Sequence, residues 1–313
     1  MGVAMTAEKQ KEVPSWDVLF PRAVSFYQPA YNYTSMGVGG KIDMIMCPRS
    51  TGELGEMVCL LNSQNIPYAV VGNWTNLIVT DKGFRGALIW TKNMKRIRQE
   101  QDKDHVWNIT AEAGALLGEL VRITARENLT GLEFCGGIPG TVGGAVRMNA
   151  GAYGHSVSES IVTVMLMDEE GEMKPLGREE LCFEYRNLRL SPGHTIAGAT
   201  FQVFSSTHNQ VKEEVSRIMA DRTVKHPLNY KNAGSIFKNP RDYAPAGRLI
   251  EEAGLKGYAV GDAAVSEKHG NFIINRGGAS AKDVLVLIEH IQETVFLRHG
   301  ILLETEIKVI GEQ

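Results

Sequence analysis

Nowhere does the 313-residue chain hold an apolar run near the ~20 residues that a membrane-spanning helix needs. Its opening segment, MGVAMTAEKQKEVPSWDVLF, lacks the apolar stretch of a secretory signal, so a soluble, cytoplasmic protein is expected. Charge of one sign is scarce too. Lys and Arg number 33 against 36 Asp and Glu, a net of −3 without long blocks. Nucleic-acid and membrane-surface proteins need a concentrated positive field, so both classes are disfavoured. Cysteine is rare: Cys47, Cys59, Cys135 and Cys182 stand far apart and form no C-x-x-C pair. Neither a zinc site nor a disulfide framework is expected, and no metal is assigned. Two nucleotide signatures are missing as well. No Gly-Lys-Ser/Thr closes a glycine loop, and Gly37-Val38-Gly39-Gly40 is followed by Ile42 where a Rossmann fingerprint requires glycine.

Glycine, by contrast, is plentiful: 33 residues, more than a tenth of the chain, against a usual share of about 7%. The glycines gather in clusters flanked by apolar runs, and the 43% apolar content is enough to fill the core of an enzyme with two or three packed units. An apolar run at 42–47 reads as a strand, and Leu54, Met57, Val58 and Leu61 repeat on one helical face. Strands are expected at 68–71, 77–79, 86–90 and 106–113, followed by a helical stripe of Leu117, Leu120, Val121 and Thr124. Residues 131–154 show no helical period. Strands resume at 161–167 and 195–204. Val211, Val215, Ile218 and Met219 then mark a helix that ends at Pro227. The change in character near 206 places a domain boundary there, dividing the chain into an extension (1–30), a first domain (31–206) and a second (207–313). In the second, Pro245 opens a helix over 246–253 that Gly254 closes. Ser280-x-x-Asp283 resembles a capping box for a helix striped by Val284, Leu287, Ile288, Ile291 and Val295, stopped at Gly300. Residues 302–310 alternate and are expected to be a strand.

Consecutive glycine amides with no Cβ in the way form a concavity suited to phosphate oxygens. Two loops have that character, Gly72–Asn76 and Gly136–Gly144. Together they can grip a pyrophosphate while Met148-Asn149-Ala150-Gly151-Ala152 approaches a flat ring. The plainer alternative is a set of tight turns in a β-rich domain. The candidate cofactor contacts in these stretches are Gly72, Asn73, Thr75, Asn76, Gly137, Ile138, Gly140, Thr141, Gly143, Gly144, Asn149, Ala150 and Gly151.

These stretches also carry a resemblance. Gly131-Leu132-Glu133-Phe134, the run Gly-Ile-Pro-Gly-Thr-Val-Gly-Gly-Ala-Val and Met148-Asn149-Ala150-Gly151-Ala152-Tyr153-Gly154 are similar to the UDP-N-acetylenolpyruvoylglucosamine reductase (MurB) family. The likeness runs from about Tyr33 to Gly311, with further motifs in family order: Gly39-Gly40, Gly72-Asn73, Tyr185-Arg186, Ala233-Gly234-Ser235-Ile236-Phe237-Lys238-Asn239-Pro240 and Leu303-Glu304-Thr305-Glu306-Ile307. It implies an α+β fold, with an FAD-binding part of the vanillyl-alcohol-oxidase/p-cresol-methylhydroxylase (PCMH) type and a smaller C-terminal substrate domain. It adds Gly39 and Gly40 to the cofactor candidates. The implied cofactors are non-covalent FAD and NADPH, and the implied substrate is UDP-N-acetylglucosamine enolpyruvate, reduced to UDP-N-acetylmuramate. The resemblance further implies that Arg186 stabilises an enolate, that Glu306 assists it and that Ser235 donates the proton. Tyr185, Lys225, Asn239 and His269 fall at positions that imply substrate or NADPH contacts. Nothing in the sequence demands more than a monomer.

The chain departs from the family pattern in places. Trp74 stands where the family usually has glycine, putting bulk at the first loop, and Leu188 replaces a common Ser. No inserted tyrosine loop follows Arg186, which makes the chain similar to the shorter, type II members. Two rival functions remain. One is an oxidase with flavin tethered through Cys135 or His155. The other is a non-catalytic nucleotide binder, which the joint presence of Arg186, Ser235 and Glu306 argues against.

Overall fold

Three sheets organise the computed structural model, which describes residues 15–206 and 210–312. After a single helical turn, α1 (Trp16–Leu19), strands Val24–Pro29, Lys41–Met46, Phe84–Trp90 and Tyr68–Val71 lie side by side in that order. The last three are mutually parallel, so a crossover is required, and α2 (Thr51–Ser63) supplies it. Ser50 caps α2 by accepting the Glu53 N–H, and Leu54, Met57, Val58 and Leu61 are buried as their spacing requires. Residues 24–29, expected within an extension, are instead the edge strand of this sheet. Of the expected extension, residues 1–14 lie outside the described residues.

The second sheet is antiparallel, in the order Met173–Gly177, Ile161–Met167, Thr195–Ser205, Val106–Glu112, Ile97–Lys103. The last strand escapes sequence reading because its RQEQDK stretch is an exposed edge with no buried face to give alternation. On this sheet sit α3 (Leu117–Arg126) and α4 (Val142–Arg147). Helix α4 lies inside the stretch that showed no helical period. It is too short and glycine-rich to display one, and Thr141 starts it by accepting the Gly144 N–H. Helix α5 (Gln210–Lys225) packs with α3, and its Val215 joins the same core. The division expected at 206 thus precedes a helix that packs on the first domain, and the change of core comes after Lys225. Met219, expected on the buried stripe of α5, is 52% exposed.

Strands Lys231–Ser235, Phe272–Asn275, Ala263–Val265 and Ala259–Val260 form the third sheet, packed with α6 (Ala246–Glu252) and α7 (Ala281–His299). The Ser280–Asp283 capping box and the left-handed Gly300 bound α7 as its sequence requires. Asp81, on the loop after strand Leu77–Val79, reaches across to accept the N–H groups of Ala281 and Lys282 at 2.9 and 2.8 Å. The expected strand at 302–310 forms only as Lys308–Ile310, parallel to Leu77–Val79. Before it, a single bridge joins Phe237 and Thr305. This return path carries residues 304–306 between the third sheet and the first loop. No helix among the described residues is long and apolar enough to cross a membrane.

Candidate active site

A cavity of about 290 Å³ opens where these elements meet, and it gathers Tyr185, Arg186, Ser235, Asn239, His269 and Glu306 from separate parts of the chain. Each is held by its own backbone setting. Strands Cys182–Glu184 and Asn187–Arg189 form a hairpin whose two loop residues are Tyr185 and Arg186. Arg186 has φ +58°, a left-handed backbone that costs a non-glycine residue about 1–3 kcal/mol. The surroundings enforce it. Asn149 donates to the Glu184 carbonyl at 2.9 Å, and Arg147 donates to Asn187 Oδ1 and the Leu188 carbonyl at 2.6 and 2.7 Å. Leu188 is fully buried in the second-sheet core, so its departure from Ser anchors the hairpin by packing. Arg186 Nη1 rests above Gly151, 3.0 Å from where a Cβ would stand. Its Nε lies 3.4 Å from Glu306 Oε1, with only about a fifth of either side chain exposed.

Ser235 and Glu306 sit on adjoining extended segments. The Glu306 N–H donates to the Ile236 carbonyl at 2.7 Å, and Asn76 Nδ2 donates to the Glu306 carbonyl at 3.1 Å. Buried Asn271 clamps the neighbouring backbone, accepting the Phe237 N–H at 2.9 Å and donating to the Phe237 carbonyl at 2.8 Å. Burial pushes the Glu306 carboxyl above the usual carboxylate range, and the cationic Arg186 only partly pulls it back. Glu304 points elsewhere: it is 71% exposed and pairs with Lys238. On a regular strand, residues 304 and 306 would share one face. The structure separates them because a lone bridge, not a regular strand, holds this segment.

The two glycine loops meet. Thr75 Oγ1 donates to the Pro139 carbonyl at 3.4 Å, and a Cβ on Gly72 would stand 2.3 Å from Thr141 Oγ1. Among the described residues, the N–H groups of Gly72, Asn73, Thr75 and Asn76 find no acceptor, nor do those of Gly137, Gly140 and Thr141. They form an open set of donors. Others of the expected contacts are already engaged as amide donors. Gly40 donates to Thr80, Ile138 to Cys135, Gly143 to Ala113, Asn149 to Val146 and Ala150 to Ala145, while Gly144 donates to Thr141 Oγ1. Gly39 turns its α-carbon onto Ala30 and Val79, so the close approach there is to the chain itself. Trp74 does not crowd the loop. Its indole is buried against Tyr33 and Trp90, with ring centroids 5.6 and 5.7 Å away.

Lys225 is not brought to the cavity; it pairs with Asp221 at 2.8 Å and is 61% exposed. His269 is brought there, with its Nδ1 accepting the Asn271 N–H at 3.1 Å, which leaves the proton of the neutral ring on Nε2. Burial holds this imidazole below its usual pKa. Arg248, Glu251 and Lys268 also line the cavity and were not singled out in the sequence, where they read as ordinary surface charges on a short helix and a loop. Neither residue considered for tethering flavin suits the task. Cys135 is fully buried, which pushes its thiol far above the usual range, and His155 is bonded to Glu159 at 2.8 Å. Among the described residues no cluster of His, Cys, Asp and Glu is placed to hold a metal ion.

Residues 42–177 match the model of an FAD binding domain, and residues 226–310 match the UDP-N-acetylenolpyruvoylglucosamine reductase C-terminal domain. The chain is 48% identical to the UDP-N-acetylenolpyruvoylglucosamine reductase of Syntrophus aciditrophicus over 93% of each chain. It is 40% identical to that of Streptococcus pneumoniae over 92% of this chain and 94% of the other. The crystal structure of the Thermus caldophilus reductase superposes with a TM-score of 0.77 at 34% identity, covering 91% of this chain and 98% of the other.

Proposed function

Because the chain belongs to the UDP-N-acetylenolpyruvoylglucosamine reductase family, whose members are FAD-dependent oxidoreductases, we propose that Arg186, Ser235 and Glu306 carry its chemistry and that NADPH is its electron source. The substrate in this reading is UDP-N-acetylglucosamine enolpyruvate and the product UDP-N-acetylmuramate, a peptidoglycan precursor made in the cytoplasm.

The residues present fit FAD. Among the described residues, the unpaired amides at Gly72–Asn76 and at Gly137, Gly140 and Thr141 lie on two touching loops and supply the donors that a diphosphate needs. When bound there, FAD supplies a hydride to the methylene carbon of the enolpyruvyl group. The chain's own side chains meet the charge that this transfer creates. Negative charge develops on the substrate carboxylate and the adjoining carbon. Arg186, permanently cationic and held at a hairpin apex, offers parallel N–H donors to that carboxylate. Glu306, whose carboxyl burial pushes above the usual range, would in its protonated form donate a hydrogen bond to the same charge. Ser235 Oγ makes no hydrogen bond among the described residues and faces the cavity, free to deliver a proton to the carbon next to the ether oxygen. The observation that carries the proposal is this meeting of Arg186, Glu306 and Ser235 in one cavity. Tyr185, Asn239 and His269 line the same space and would hold the sugar nucleotide.

The test uses purified protein with its flavin. It is expected to consume NADPH faster once the enolpyruvyl sugar nucleotide is added, and an unchanged rate would overturn the proposal. Gly72→Ala gives a separate check on the cofactor loops. The added methyl drives Thr141 from its helix cap, with an expected cost of about 1–3 kcal/mol. Denaturant melting and the fraction of flavin retained on dialysis should both fall.

A further inference from the structure

Helix α5 carries Val211, Val215 and Ile218 on its buried face, and the next position on that face is Arg222. A cation there is out of character for a packed stripe. It is half-buried, yet its guanidinium makes no ion pair and no hydrogen bond among the described residues. The nearby carboxylate is taken: Asp221 Oδ1 holds Lys225 Nζ at 2.8 Å, and Asp221 Oδ2 accepts from the Tyr153 hydroxyl at 2.8 Å. Arg222 instead leans on the second glycine loop. A Cβ on Gly137 would stand 3.0 Å from Arg222 Cδ and 3.1 Å from its Nε, and Gly137 has φ +71°. Glycine at this position therefore does two things. It permits the left-handed turn that leaves its amide unpaired, and it clears space for the guanidinium beside that amide.

We infer that Arg222 is the cation of a diphosphate site, closing the Gly137 end of the amide cradle with a forked pair of N–H donors. The inference rests on the cofactor reading proposed for the two glycine loops and assigns it a side chain. A half-buried guanidinium with no acid to meet it, placed beside unpaired amides, matches the charge and the planar donor geometry of a phosphate group. The proposed reaction brings two diphosphates to the protein, that of FAD and that of the UDP-sugar. Gly137 belongs to the cofactor loop, so FAD is the expected source.

The experiment measures flavin release from purified holoprotein by its fluorescence, and UDP binding to the holoprotein by calorimetry. Wild type, Arg222→Met, Arg222→Lys and Lys212→Met are compared, the last removing an exposed cation from the same helix. Arg222→Met is expected to weaken FAD binding at least tenfold. Arg222→Lys, which keeps the charge but loses the fork, should fall between, and Lys212→Met should match wild type. The wild-type advantage over Arg222→Met should shrink with added salt. Loss of UDP affinity with FAD binding intact would give the same diphosphate role with the sugar nucleotide as its source. Wild-type affinity for both ligands in Arg222→Met overturns the inference while leaving the cofactor reading standing. A wild-type protein that retains no FAD would sink that reading, and this inference with it.

Discussion

Ser235→Ala is expected to slow reoxidation of the reduced enzyme by the sugar nucleotide about 10²- to 10⁴-fold, the range lost with a positioned acid or base. Reduction of the flavin by NADPH should stay near wild type, because no proton is delivered to substrate in that half-reaction. The backbone here tolerates the change. Ser235 closes strand Lys231–Ser235 after Gly234, and its register with Phe272 and the Asn271 clamp on Phe237 involve main-chain groups that the substitution keeps. Its hydroxyl supports no internal hydrogen bond, so stability should change by less than about 1 kcal/mol. Stopped-flow absorbance of the flavin separates the two halves. Equal slowing of both would remove Ser235 from the proton-donor role. A serine hydroxyl is a weak acid, so transfer must be helped by charge already placed on the substrate, and Arg186 and Glu306 stand on the same cavity wall.

How legible all this was depends on how local each feature is. Helix α7 could be read because its cap, stripe and stop all lie within one stretch of sequence. So could strand Ile161–Met167, whose bounds the structure reproduces. Helix α4 could not: a six-residue helix with two glycines has too few turns to show a period, and its cap is visible only once Thr141 meets Gly144. The same limit applies to the site. Arg186, Ser235 and Glu306 come from a hairpin, a sheet strand and a returning C-terminal segment, and no spacing in sequence brings them together. Family motifs marked them, and the fold brings all three to the lining of one cavity. Lys225 and Arg222 make the opposite lesson. Lys225 matched a motif but turns outward to Asp221, while Arg222 was readable by helix arithmetic alone as the position after Ile218 on the buried face. The signal was a charge on an apolar stripe.

The second large effect belongs to the Arg186–Glu306 pair. Arg186→Gly is expected to lower kcat by roughly 10²- to 10³-fold, as loss of a donor aimed at developing charge does, with a smaller change in KM because that charge exists mainly in the transition state. Stability should not fall with it below the Glu306 pKa, where that carboxyl is neutral and needs no cationic partner. Glycine adopts φ +58° without the strain that arginine bears there. That relief offsets the roughly 0.4–1 kcal/mol of added unfolded-state entropy. A dead enzyme that melts like wild type would therefore separate catalysis from folding at this hairpin, and a large loss of stability would contradict the account. Glu306 provides the pH dependence. Its folded pKa is raised by burial, so the protonated form, and the activity that needs it, is lost as pH rises through that raised value. The same shift makes Glu306 stabilise the fold at low pH and lose that contribution as pH climbs. Glu306→Gln should remove the alkaline fall in kcat and be more stable than wild type on the alkaline side. Because Arg186 holds the Glu306 pKa down, its removal should move the residual alkaline limb to higher pH. An unmoved limb in Arg186→Gly would show that another group sets it.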